Sequence, residues 1–314
     1  MSGKHPPHML TPDETGIAEA ARLLRSGKLV AVPTETVYGL AARADQAEAV
    51  ANIYRAKGRP DFNPLISHVA TMKQAQDLAI FDARALKLAE TYWPGPMTLI
   101  LPAKQPSGVA AAVTAGLPTI AVRIPAHPIM RALLNELSLP LAAPSANRSG
   151  CISPSKPTHV MQSLGGKVDA ILDGGPCAKG VESTIVALRP EGWQILRPGP
   201  LTEEDITATL GKAPLTLDKG KIEAPGQLAS HYAPGKPVRL EVTGPQADEF
   251  MIGFGTVAGD VTLSANGDCA EAAANLYQCL HDGAAAPHPR IAVAPIPQSG
   301  IGAAINDRLQ RAAA

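Results

Sequence analysis

The spacing of apolar and polar positions predicts a chain that alternates between helices and short buried strands. Thr11 as N-cap, Pro12 at the first position, Glu14 completing a capping box and Gly27 as the stop define a first helix. A short buried strand comes next at 29–33, and helical periodicity returns at 46–56 and 82–92. Apolar runs at 64–69, 97–101, 119–124 and 139–143 read as strands, with a helix over 127–137. A helix at 157–164 precedes strands at 170–172, 183–188 and 194–196. Such alternation predicts an α/β domain with a substantial sheet over 12–210.

The rhythm then changes. Pro214, Pro225, Pro234 and Pro237 punctuate 211–237, which reads as a linker. Beyond it, strands at 238–242 and 290–293 and helices at 271–281 and 302–311 predict a smaller α/β unit over 238–314. A length of 314 residues agrees with two domains.

Composition narrows the core and the partners. Apolar residues make up 45% but aromatic residues only 4%, so Ala, Val, Leu and Ile must fill the interior. The formal charge is zero, from 28 basic and 28 acidic residues, which disfavours extended gripping of nucleic acid and predicts no stable direct complex with it. Cys151, Cys177, Cys269 and Cys279 form no CxxC pair or Cys/His cluster, so structural zinc is not expected and a reducing compartment is. The first ten residues lack a signal-peptide core, and no apolar run reaches the ~18–20 residues that span a bilayer. A cytoplasmic protein without a membrane partner is expected.

Charge is neutral in sum but unevenly spread. Between Thr91 and Val168, Glu136 faces Lys104, Arg123, Arg131, Arg148, Lys156 and Lys167, and 53–69 adds Arg55, Lys57, Arg59 and His68 against Asp61. A solvated basic face explains this as well as a site does. Arg123, however, lies in an apolar strand pattern, TIAVRIP, where a guanidinium needs an anionic partner. Gly58 and Pro60 enforce a turn that can aim Lys57 and Arg59 at one polyanion. Ser145, Asn147 and Ser149 come after a strand in a turn-prone stretch whose amides and hydroxyls can cradle phosphate. GxxxxGK[ST], GxSxG and HExxH are absent, and the Gly253-Phe254-Gly255 fragment reads as a strand end, not a dinucleotide fingerprint. The pattern favours positioning and charge over a covalent protein nucleophile.

Seven segments occur in order: PTETVYGLAA (33–42), KGRPDFNPLISH (57–68), WPGPMTLIL (93–101), TIAVRIPAHP (119–128), PLAAPSANRSG (140–150), DGGPCAKGVESTIV (173–186) and ILRPGP (195–200). Together they resemble the YrdC-like threonylcarbamoyl-AMP synthases, and HYAPGKPV and GIGAAINDRL resemble that family's two-domain branch. The resemblance implies a twisted mixed α/β sheet around a deep positive cavity, then a small Rossmann-like α/β domain. It also implies a nucleotidyltransferase reaction: L-threonine, bicarbonate and ATP give threonylcarbamoyl-adenylate, pyrophosphate and water. Partner proteins would use the product in tRNA processing, to make threonylcarbamoyladenosine. Mg2+ would accompany ATP, with no direct protein ligand.

The same resemblance assigns roles by position. Lys57, Arg59, Ser145 and Asn147 correspond to the constellation around the triphosphate, and Asn63, Thr119, Ser153 and Arg197 to further nucleotide positions. Thr34, His68, Arg123, Ser183 and the Ala143 backbone correspond to the threonine site, with Arg123 taking the carboxylate. Taken singly, each has a plainer reading. Thr34 and Ser183 are strand-end caps, His68 a core histidine, Asn147 a turn residue, and Arg59 a surface partner of Asp61 worth ~0–1 kcal/mol. Glu182 has either a magnesium-supporting or a structural role and is left unassigned. The linker departs from the family: SPGMKYRHYAP becomes APGQLASHYAP at 224–234, with Leu228, Ala229 and Ser230 before His231 and Tyr232. His231 and Tyr232 are expected to close over the nucleotide as a lid. An RNA-binding module without catalysis and a related carbamoyl-transfer enzyme are the alternatives.

Overall fold

A computed structural model describes residues 6–215, 223–227 and 230–314. Strands β1 (His8–Leu10), β2 (Val30–Val32), β3 (Gly39–Arg43), β4 (Ile66–His68) and β5 (Met97–Pro102) join β6 (Thr119–Arg123), β7 (Leu141–Ala142), β8 (Ala170–Leu172), β9 (Thr184–Arg189) and β10 (Gly192–Arg197). They form one mixed sheet in the order β1-β8-β2-β3-β7-β4-β6-β5-β9-β10. Its helices are α1 (Glu14–Arg25), α2 (Ala47–Lys57), α3 (Met72–Leu78), α4 (Ala83–Tyr92), α5 (Ala111–Thr114), α6 (Pro128–Leu137), α7 (Pro157–Leu164) and α8 (Glu203–Leu210).

Strand alternation decides which faces the helices cover. In the first half of the sheet, Val30, Val32, Ala41 and Leu141 pack with α1 and α6, while Ala31, Leu40, Ala42 and Ala142 pack with α2 and α7. Both faces are thereby buried. In the second half, Leu99, Leu101, Ile120, Val122 and Val186 pack with α3, α4 and α8 on one face only. The opposite face holds a small cluster of Ile66, Ile100, Ala121, Ile185, Ala187 and the linker residue Ala224. Two residues further along the same strand faces stand His68 and Arg123, and two residues before Ile185 stands Ser183. The uncovered face is where polar chemistry collects.

A second sheet is wholly parallel: β11 (Val238–Arg239), β12 (Glu249–Gly253), β13 (Val261–Thr262) and β14 (Arg290–Val293), ordered β11-β14-β12-β13. It packs with α9 (Cys269–Ala285) and α10 (Ile301–Ala312). Val37, Ile152 and Val181 of the first unit and Tyr232 of the linker lie in that same apolar core. Gly180, at φ 67°, makes the join close, since a Cβ there would meet Ala273 O at 2.2 Å.

Departures from the sequence expectation are local. The N-cap of α1 is Asp13, not Thr11: its carboxylate accepts Gly16 N at 2.9 Å, with the extended backbone a cap requires. Strand β3, reading GLAAR, has no β-branched residue to signal it, and β1 and β13 are only 3 and 2 residues long. The short helices α3, α5 and α8 and the buried strand β12 likewise lie outside the predicted elements. Gly253 does end a strand, and the chain then turns, with a Phe254–Val257 bridge closing the turn.

Candidate active site

Segments far apart in sequence build one cavity. It is lined by Thr34, Thr36, Val37 and Gly39 from the β2–β3 turn, and by Ile66, His68, Arg123 and Arg59 from β4, β6 and the loop after α2. Ala143, Pro144 and Ser145 come just after β7, Glu182, Ser183 and Arg197 flank β9 and β10, and Pro225, Gly226, His231 and Tyr232 come from the linker.

The β2–β3 turn is tied by Thr34, whose hydroxyl donates to Val37 O at 2.7 Å and accepts from Thr36 N and Val37 N. Beside it, Arg123 gives Nη2 to Glu35 Oε1 at 2.5 Å, Nη1 to Thr36 Oγ1 at 3.1 Å and Nε to Gly95 O at 3.1 Å. The second Glu35 oxygen accepts Ala126 N at 3.1 Å. Burial would raise the Glu35 carboxyl, but the Arg123 charge outweighs it and holds the group below its ordinary value. The anionic partner that the strand pattern demanded for Arg123 is therefore in the chain. Register sets His68 directly opposite Arg123. Burial, aided by the Arg123 charge, pushes His68 down to about 3, so its ring is neutral near pH 7. Its buried Nδ1 has no hydrogen-bond partner, an acceptor or donor left for something in the cavity.

On the other side Arg59 donates Nε to Asn63 O at 3.1 Å, and Nη2 to Asn63 Oδ1 at 2.6 Å and Pro64 O at 2.8 Å. The surface bridge to Asp61 does not form. Burial lowers Arg59 to about 10. Arg197 donates Nε and Nη2 to Ser183 O at 3.1 and 3.0 Å, and Nη2 to Ser183 Oγ at 3.1 Å. A register shift between Ile195 and Arg197 against β9 turns this guanidinium inward. Ser183 Oγ also bonds Thr98 Oγ1 at 2.8 Å. Gly226, at φ 85°, lets the linker cross this arginine: a Cβ would meet Arg197 Cδ at 2.8 Å.

Lys57 corrects one expectation. Its ammonium does not line the cavity with Arg59 and Arg123; it donates to Ser145 O and Asn147 O, each at 2.6 Å. Burial, then the neighbouring Arg59 charge, lowers it well below an ordinary lysine. Lys57 thus fastens the Ser145–Asn147 loop while Ser145 faces the cavity. Asn147 also stays behind the wall, donating Nδ2 to Arg148 O and Cys151 O, with Oδ1 unpartnered. Asn63 is held by Arg59, and Ser153 gives its hydroxyl to Glu182 at 2.6 Å. Thr119 begins β6, at the opposite end from Arg123. Tyr232, at φ 66°, and His231 roof the cavity from the linker, with His231 N bonded to Arg311 O at 3.2 Å. Leu228 and Ala229 lie outside the described residues.

Two acidic residues matter more than the sequence suggests. Glu35 sits inside PTETVYGLAA, where the only signal is an acid within an otherwise apolar and hydroxyl-bearing turn; its partner Arg123 is 88 positions away. Glu182, left unassigned, lines the cavity and is held at about 2, because the charges of Arg308 and Arg197 and bonds from Ser153 and Tyr277 outweigh the raising effect of burial. Among the described residues no group of three or more His, Cys, Asp or Glu could hold a metal ion, and no helix is long and apolar enough to cross a membrane. All four cysteines are free.

Residues 22–199 match the Sua5/YciO/YrdC family model, described as telomere recombination. Residues 201–314 match the C-terminal domain of threonylcarbamoyl-AMP synthase. A Bacillus subtilis threonylcarbamoyl-AMP synthase is 40% identical, covering 97% of this chain and 94% of the relative. The chain belongs to the threonylcarbamoyl-AMP synthase family. A family member from Pyrococcus abyssi is 38% identical over 96% of this chain and 94% of its own. The crystal structure of P. abyssi Sua5 complexed with L-threonine superposes with a TM-score of 0.88 at 37% identity, covering 98% of this chain and 97% of that one. A large mixed sheet and a small C-terminal α/β unit are thus common to this chain and that structure.

Proposed function

We propose that this protein is a threonylcarbamoyl-AMP synthase that condenses L-threonine, bicarbonate and ATP into threonylcarbamoyl-adenylate, pyrophosphate and water. The observation that carries the reading is the shared cavity. Arg59 and Arg197, hydrogen-bonded to neutral oxygens, face the same space as Thr34, His68, Arg123 and Ser183. A polyanion and an amino acid can meet there. The amino group of threonine takes up bicarbonate as a carbamate with loss of water. A carbamate oxygen then attacks the α-phosphorus, and the bond to pyrophosphate breaks. Displacement at phosphorus asks for alignment and charge more than for a protein nucleophile.

In this reading Arg59, Arg197 and Ser145 neutralise and align the phosphates, with Asn63 setting Arg59, and Lys57 and Asn147 setting the Ser145 loop. Ser153, Thr119, His231 and Tyr232 complete the nucleotide side. Arg123 meets the threonine carboxylate with the N–H groups that Glu35, Thr36 and Gly95 leave open, beside Thr34, Ala143 and Ser183. The unpartnered Nδ1 of neutral His68 is available to an amine or hydroxyl proton. Glu35 and Glu182 have their oxygens engaged by Arg, Ser, Tyr and amide donors, which supports entry of Mg2+ on the triphosphate. We assign catalysis to 12–210, the lid segment to 211–237 and a supporting unit to 238–314. The labile product calls for transfer in the cytoplasm to tRNA-modifying proteins.

Pyrophosphate release with each substrate omitted in turn tests the proposal. Dependence on threonine, bicarbonate and Mg-ATP together is expected; release with ATP alone would overturn it.

A further inference from the structure

Glu182 stands in the cavity wall beside Ser183 and Arg197. A carboxylate there opposes an anionic ligand, because charges in a poorly hydrated wall are weakly screened. The first unit does not compensate it fully. Ser153 offers a neutral hydroxyl, and Arg197 spends its described bonds on Ser183. The full positive charge that touches Glu182 comes from the other end of the chain: Arg308 on α10 donates Nε to Oε2 at 3.0 Å. Tyr277 on α9 donates its hydroxyl to the same oxygen at 2.7 Å. Arg308 is wholly buried, gives Nη1 to Asp307 at 2.9 Å, and lies 5.6 Å from the Tyr232 ring centre.

Anchorage alone does not require these charges. Buried ion pairs are commonly replaced by apolar side chains without loss of stability, and the two units already share an apolar core through Val37, Ile152, Val181 and Tyr232. What an ion pair does, and leucine could not, is set the charge of the wall.

We infer that Arg308 is a positioning residue for nucleotide uptake: carried in by the C-terminal unit, it neutralises Glu182, so that the wall presents Arg59 and Arg197 to an anionic ligand. The C-terminal unit thereby completes the electrostatics of a cavity built mostly by the first. This rests on the reading that the cavity takes ATP.

Calorimetric titration of the full chain with ATP and with AMP needs no turnover and compares ligands of different charge. R308Q should weaken ATP about tenfold and AMP clearly less, since the opposing charge acts on more phosphates in ATP. E182Q should tighten ATP relative to AMP, and E182Q/R308Q should return ATP to within about threefold of the parent. Equal losses for both ligands in R308Q, or a double variant no better than R308Q, would make the contact anchorage only and sink the inference. Should R308Q fail to fold, E182Q decides alone: ATP must tighten relative to AMP. No nucleotide binding by the unsubstituted chain would remove the underlying reading, and this inference with it.

Discussion

Arg123 and Arg59 face the same cavity from opposite sides, but their burial is compensated differently. Arg123 has an acid of its own, Glu35, at 2.5 Å, and both are almost sealed from solvent. Arg59 is held by the oxygens of Asn63 and Pro64 with no carboxylate bonded to it, and Arg197 by those of Ser183, with the nearby Glu182 carboxylate bonded instead by Arg308. One side is therefore locally neutral and shaped by hydrogen bonds. The other retains uncancelled positive charge at the cost of desolvation, seen in the lowering of Arg59 to about 10. An amino acid, itself a zwitterion, suits the first side; a triphosphate suits the second. The difference teaches that counting basic residues does not locate an anion site, since what matters is which cations lack an acid.

Replacing Arg123 breaks the contrast most violently. R123M leaves Glu35 buried without its partner, and thermal or urea unfolding should show a loss of about 3–5 kcal/mol. R59M removes a cation whose partners are neutral, so stability should fall by only about 1–2 kcal/mol, less than in R123M, while kcat/KM for ATP falls about 10–100-fold. A stability loss in R59M as large as in R123M would erase the distinction between the two sides. E35Q should convert the first side toward the second: threonine KM rises, by several-fold at the level of one weakened charged bond, and pyrophosphate becomes a stronger inhibitor. Unchanged inhibition would mean that Glu35 does not set the local charge.

Acid should act on both sides. His68 and His231 are pushed to about 3 by burial, below an unfolded value near 6.5, so each contributes stability that is present above ~6.5 and is lost as pH falls toward 3. Glu182, held at about 2, adds a loss that begins below its ordinary value of 4.5. Unfolding free energy measured from pH 7 to pH 4 should therefore decline, and H68N should flatten the upper part of that decline. A flat profile in the parent chain would show that these histidines are hydrated and not buried.

Much of the main sheet was legible because buried strands announce themselves as short apolar runs. The strand at 170–172 and the helix at 157–164 match the sequence reading to the residue, and β14 likewise. The β3 strand escaped because GLAAR has no β-branched or aromatic residue, and β12 because its apolar run, Phe250–Ile252, is only three residues long between Glu249 and Gly253. At the site, residue pattern and family resemblance pointed to Arg59, Arg123 and Ser145, and resemblance alone to Arg197; the fold brings all four to one cavity. Spacing could not tell that Lys57 turns its ammonium into the backbone of the Ser145 loop, because direction depends on the helix end at Gly58, φ 60°.

By itself the sequence determined the alternation of elements, the break into two units, and an ordered series of motifs specific enough to name a family. Local periodicity and turn residues suffice for the first two, since both act within a few residues along the chain. Which charges oppose one another was decided only by tertiary structure. Glu35 meets Arg123 across 88 positions, and Glu182 meets Arg308 across 126. Local pattern can hint that a charge is buried, but Coulomb interaction also depends on separation in space, which no local pattern encodes for residues so far apart along the chain.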